Sequence, residues 1–159
     1  MIQQVPSFDS EIETVVGSAP APLIFTSRSL DLLNYYLRYP GGSLSGWKVY
    51  DAQRLRGFAL LTVRHHGGIC CGKIVDCFLD SREPSLWQAA FSALTQQLRE
   101  QAADYVTVYA TTSWVRRAIE LNGFYFWQET EVVLRDPQRR MPREVPFMLT
   151  MLEADHAIL

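Results

Sequence analysis

The run ICCGKIVDCFL at residues 69–79, followed by PSLWQAAFSALTQQLREQAA at 84–103 and YVTVYA at 105–110, decides the fold. The first run is mostly apolar with β-branched members, the pattern of a strand covered on both faces. The second switches period. Trp87, Ala90, Phe91, Leu94, Leu98 and Ala102 recur at three- and four-residue steps while Gln88, Ser92, Gln96, Arg99 and Glu100 take the other sides, which makes one apolar helical stripe. The third run is again rich in strand formers. A buried strand, an amphipathic helix and a second strand make a right-handed crossover with parallel strands the economical topology. A shorter helix over Ser113 to Leu121 follows, with Thr111 or Thr112 able to cap its start and Asn122-Gly123 able to end it, before Phe124 returns to the core.

Toward the N-terminus, residues 1–22 hold Pro6, Pro20 and Pro22 and read as an arm with a short helix around Phe8 to Val16. Leu23 to Phe25 is a brief apolar run. Leu30, Leu33, Tyr36 and Leu37 give Ser27 to Tyr39 a helical spacing behind a Ser27 or Ser29 cap, and Pro40-Gly41-Gly42 stops it. Trp47 to Asp51 and Phe58 to His66 read as strands, and Gly67-Gly68 joins the second to Ile69 by a tight turn, so three antiparallel strands precede the crossover. Toward the C-terminus, Phe124 to Arg135 reads as a strand, Asp136 to Arg143 as a basic loop and Val145 to Leu152 as a last strand. The polar tail from Glu153 is expected to fray.

The 159 residues fit one domain over 1–159, and a formal net charge of −2 offers no general attraction to nucleic acid or an acidic membrane. No run approaches the roughly 20 apolar residues of a spanning helix. The first residues lack the basic and apolar regions of a secretory signal, so a cytoplasmic protein is expected. Cys70, Cys71 and Cys77 are an odd number crowded on one strand, which suits reduced, buried thiols.

This order of elements resembles the GNAT N-acetyltransferase superfamily, most tellingly at Leu121-Asn122-Gly123-Phe124, which looks like the family's helix end before its sixth strand. Phe8-Asp9, RSLDLLNYYLRYP at 28–40, and Leu149-Thr150 with Asp155 also look like the C-terminal half of longer bacterial proteins with tandem GNAT-like domains. The resemblance implies an α/β fold, a mixed sheet with antiparallel N-terminal strands, parallel central strands and flanking helices. It implies transfer of an acetyl or other acyl group from acetyl-CoA or another acyl-CoA to a small-molecule or peptide amine, without metal. In the family the acyl-CoA lies where the fourth and fifth strands splay, and a Q/R-x-x-G-x-G/A loop wraps its pyrophosphate at the next helix's start.

Carried over by position, backbone groups of Cys77, Phe78 and Leu79 would hold the pantetheine arm. Arg82 and the Ser85 amide would meet phosphate, Thr112 would make a polar contact, and Asp76, the one carboxylate within the apolar strand, would take the amine proton. The chain departs from the family pattern at three points. Ser85 and Trp87 stand at the two small positions of the loop, Glu83 and Pro84 add a charge and remove an amide, and Ile119 stands where many members have a proton-donating Tyr. A catalytically degenerate GNAT-like domain serving as a binding or structural module is therefore the rival reading, and a different acyl donor a third. A homodimer, served by aromatics such as Trp127, or a second GNAT-like domain is the expected protein partner.

Other residues invite chemistry less directly. Tyr109, Thr111 and Thr112 follow the fifth strand of that resemblance, where open α/β sheets bind ligands. His65-His66 and Cys70-Cys71 face each other across the glycine turn, but neighbours on a strand point to opposite faces, so only one of each pair can share a site, short of a closed zinc site. Arg135, Arg139, Arg140 and Arg143 make a basic loop suited to an anionic ligand or to plain solvation.

Overall fold

The computed structural model describes residues 1–21, 23–40, 42–129, 138, 142 and 144–153. In chain order they form β1 (Ile2–Val5), α1 (Glu11–Gly17), β2 (Ile24–Phe25), α2 (Leu30–Arg38), β3 (Ser45–Asp51), β4 (Arg54–His66) and β5 (Ile69–Leu79). Then come α3 (Pro84–Glu100), β6 (Tyr105–Val108), α4 (Ser113–Leu121), β7 (Phe147–Met148) and a 3-10 turn at Met151–Glu153. The main sheet runs β1-β3-β4-β5-β6, antiparallel from β1 to β5, with β6 parallel to β5. This is the mixed α/β architecture the sequence predicts.

Local chemistry explains the joints. Gly67 and Gly68 both take positive φ, at 58° and 83°, which lets β4 turn into β5 in two residues. Gly57 answers a different need: a Cβ there would stand 2.1 Å from the Phe78 carbonyl oxygen on the facing strand. The Ser29 hydroxyl caps α2 by accepting from the Leu32 amide at 3.3 Å. Past α3, Ala102 turns left-handed at φ 63°, and the Asp104 carboxylate accepts from the Cys70 amide at 2.7 Å, which sets β6 beside β5. Asn122 donates to the carbonyls of Gln88 and Ala118 at 2.9 and 3.0 Å, tying the end of α4 to α3.

The core lies between the sheet and its helices. Phe58 and Phe78 stack across β4 and β5 with Phe8 edge-on to Phe58, while α3 buries Trp87, Ala90, Phe91, Leu94 and Leu98. No helix among the described residues is long and apolar enough to cross a membrane.

Four expectations need correction. The N-terminal arm contributes an edge strand, because β1 pairs with β3 from Ile2↔Val49 to Val5↔Gly46. Residues 124–129 form no strand, and Tyr125 and Trp127 stand exposed there; the rest of that expected strand lies outside the described residues. The last strand shrinks to Phe147–Met148, which pairs in parallel with β2 because Ile24 and Phe25 offer an apolar ladder of equal length. Glu153, expected to fray, is fixed by Arg28 and by Thr26.

Candidate functional site

β5 and β6 pair only from Cys71↔Tyr105 to Ile74↔Val108. Beyond that point β5 continues to Leu79, whereas the chain after Val108 leaves toward α4, so the two strands part at their C-terminal ends. On the other side of β5 the register passes from Leu61↔Ile74 to Leu60↔Asp76, which makes Val75 an extra, bulged residue. A bulge bends its strand and increases twist. This one sits next to the last β5–β6 pair, and no described strand pairs with residues 75–79 on the β6 side.

The gap so formed is filled by the chain itself. Trp87 and Phe91 of α3 line it, with ring centres 5.8 Å apart, as do Met148, Leu149 and Thr150 of the C-terminal segment. About 10 Å³ remains, roughly the room of one water. Trp87 is 1% exposed, and its indole nitrogen donates to the Ser81 carbonyl at 2.6 Å. Thr111 fastens the C-terminal segment: its hydroxyl donates to the Phe147 carbonyl at 2.8 Å and accepts from the Leu149 amide at 2.9 Å. Thr112 starts α4 without capping it; its buried hydroxyl lines the gap and has no partner among the described residues.

Asp76 follows the Val75 bulge on β5 with none of its side chain exposed. Arg28 grips it at 3.0 and 3.2 Å and reaches on to Glu153 at 2.8 Å, Thr150 at 3.2 Å and the Thr26 carbonyl at 2.8 Å. Burial pushes the Asp76 carboxyl up against the pull of Arg28. Burial also works against charge on Arg28, but Asp76 and Glu153 outweigh it and raise the guanidinium's value. For Glu153 burial is again outweighed, here by Arg28 and by contacts with Thr26 and Thr150, so its value is lowered.

The other residues singled out in the sequence are spread around the gap. The Cys77 thiol lines it, and burial with the neighbouring Asp76 charge pushes that thiol far up, so it stays protonated. Phe78 packs on Phe25 and Phe58, and Leu79 is buried. Arg82 donates to the Pro20 carbonyl at 3.1 Å and lies 5.0 Å over the Trp114 ring. At the start of α3 the Ser85 hydroxyl donates to the Glu83 carboxylate at 2.6 Å, and Pro84 offers no amide. Tyr109 lines the gap beside Thr111.

His65 and Cys70 face each other in register, Nε2 to Sγ 3.9 Å, and no group of three His, Cys, Asp or Glu among the described residues could hold a metal. Arg135, Arg139, Arg140 and Arg143 lie outside the described residues. Sequence reasoning quoted Arg28 and Leu149-Thr150 only within a resemblance, and it gave Arg28 and the Met148–Thr150 segment no place in the site. A lone Arg before an apolar helix carries no local signal of burial, and a two-residue ladder is too short to show a period.

No protein-family model matches the chain, and no curated protein matches it in sequence. Solved structures do match in shape. The wild-type protein TTHA1254 of Thermus thermophilus superposes with a TM-score of 0.58 at 14% identity, over 84% of this chain and 96% of that one. A ribosomal-protein-alanine N-acetyltransferase from Brucella melitensis biovar Abortus 2308 gives 0.55 at 13% identity, covering 86% and 98%. A predicted acetyltransferase with acetyl-CoA from Clostridium acetobutylicum gives 0.53 at 14% identity, covering 84% and 96%. The chain has the GNAT fold. Between the parted ends of β5 and β6 about 10 Å³ is open. Trp87 and Met148–Thr150 fill the rest of that space, and Glu83 and Pro84 stand at the start of α3.

Proposed function

We propose that this GNAT-fold chain is an N-acyltransferase that uses acetyl-CoA or another acyl-CoA and passes the acyl group to a small-molecule or peptide amine. The observation that supports this most is the Val75 bulge at the end of the β5–β6 ladder, with a Thr112 hydroxyl that has no partner among the described residues in the gap's lining. Bulges and ligand sites recur together at the C-terminal ends of parallel strands. The names of the Brucella and Clostridium proteins support an acetyl donor, and the former an amine on a protein. In this reading the backbone of Cys77, Phe78 and Leu79, the side chain of Arg82, the Ser85 amide and the Thr112 hydroxyl meet the donor once the gap widens. Asp76 takes the amine proton only if the acceptor reaches it past Arg28.

The second reading is a degenerate module that binds a partner and catalyses nothing. Two observations favour it: Trp87 fills the gap, and Ile119, 3% exposed in the core, cannot donate a proton. Calorimetric titration with acetyl-CoA and with CoA separates the readings, with Trp87→Leu as the companion variant. Removing the indole altogether would cost about 3–5 kcal/mol of core packing, which leucine partly avoids. Micromolar binding by the native chain supports the transferase. Absence of heat from both proteins at millimolar ligand overturns it.

A further inference from the structure

We propose that residues 147–153 form a strap that opens and closes the β5–β6 gap, held at one end by Thr111 and at the other by Arg28. The ligand admitted is taken from the acyl-CoA reading; the motion is argued from the strap's own contacts.

Among the described residues the strap is fastened by few backbone bonds. Its backbone ladder is the two-residue pairing of β7 with β2, Ile24↔Phe147 and Phe25↔Met148, extended by the Ile24 amide donating to the Pro146 carbonyl at 2.9 Å. It forms no ladder with β6, and the Thr111 hydroxyl alone bonds both the Phe147 carbonyl and the Leu149 amide in place of one. Segments with so few backbone bonds open locally without global unfolding.

The far end is held by side chains, with the Thr26 hydroxyl donating to the Glu153 carboxylate beside Arg28. Glu153 and Thr150 accept from Arg28 Nη2 at 2.8 and 3.2 Å, and the Glu153 carboxylate turns back on the Thr150 amide at 2.6 Å. When the strap leaves, Arg28 keeps both bonds to Asp76 and its bond to the Thr26 carbonyl. Opening therefore takes the Thr150 hydroxyl from Asp76 but leaves that carboxylate paired with Arg28. Between the two ends the contact is apolar: Met148, 4% exposed, lies over a gap lined by Ile74, Cys77, Trp87 and Val108, and Met151, 3% exposed, is buried in the core. An unbranched, flexible side chain suits a seal that is broken and remade. Beneath it the Thr112 hydroxyl has no partner among the described residues, and a partner arrives if the gap admits one.

Hydrogen exchange read by mass spectrometry on the full chain tests the motion. Amides of 145–153 should exchange at least ~10-fold faster than those of β4, and Thr111→Val should speed them several-fold while leaving β4 unchanged. Equal rates in strap and β4 in both proteins would make the segment a fixed wall and overturn the proposal. A second arm joins Ile24→Cys to Phe147→Cys by a disulfide and titrates acetyl-CoA. Binding lost on oxidation and restored by dithiothreitol supports the strap; equal binding in both states overturns it. Fast strap exchange with no acetyl-CoA binding in either state would leave the strap standing and remove the acyl-CoA reading.

Discussion

Arg28 and Asp76 face each other fork to fork in the interior, Nε to Oδ2 at 3.0 Å and Nη2 to Oδ1 at 3.2 Å, with side chains 2% and 0% exposed. Parallel bonds of this kind fix orientation as well as distance. The pair joins the segment before α2 to the middle of β5, and through Glu153 it also holds the end of the described chain.

Replacing Arg28 by Met leaves the Asp76 carboxyl buried without its counter-charge. The expected cost is about 3–5 kcal/mol, measured by urea unfolding, and pairing Arg28→Met with Asp76→Leu should recover most of it. A single variant within about 0.5 kcal/mol of the native chain would contradict a close buried pair.

Asp76→Asn separates anchoring from proton transfer. If Asp76 only anchors Arg28, the variant loses stability while any acetyl transfer keeps the shape of its pH profile. If Asp76 accepts the amine proton, transfer falls by about 100-fold or more and the limb of the profile set by that carboxyl disappears. Rates of acetyl transfer to a panel of amines across pH supply the readout.

Acid should loosen the C-terminal end through Glu153. Its value is lowered in the folded protein, so the stability it contributes is present above the ordinary glutamate value of 4.5 and is lost as pH falls through the folded value. Below pH 4.5 the native chain should therefore lose urea resistance more steeply than Glu153→Gln. Parallel slopes in the two proteins would remove Glu153 from the linkage.

Gly57→Ala should disrupt the β4–β5 pair. Its Cβ would stand 2.1 Å from the Phe78 carbonyl oxygen and 2.4 Å from Leu79 Cδ2, and the first of these is backbone that cannot step aside. A loss of more than about 3 kcal/mol, or failure to fold, is expected from such overpacking, and thermal melting followed by circular dichroism measures it.

The sequence was legible where period and punctuation agreed. Ile69–Leu79 and Ser113–Leu121 keep their expected bounds, because an apolar run ends at a turn and a helical stripe ends at Asn122-Gly123. β1 was not legible, since four residues of mixed polarity show an edge strand only once β3 is beside them. The GNAT arrangement followed from element order. The contents of the gap did not, because Trp87 reads as core in any helix stripe and Met148 as core in any strand. Arg28 was hidden for a physical reason: buried charge is disclosed by its partners, and they lie 48 and 125 residues away.

Those separations also order events in time. A chain emerging from a ribosome can join Arg28 to Asp76 while Glu153 is still unmade, since loop closure favours the nearer partner, if only slowly with length. Of Arg28's two carboxylate partners, Asp76 therefore needs the shorter loop and Glu153 the longer, so the contact that fixes the C-terminal segment carries the larger closure cost.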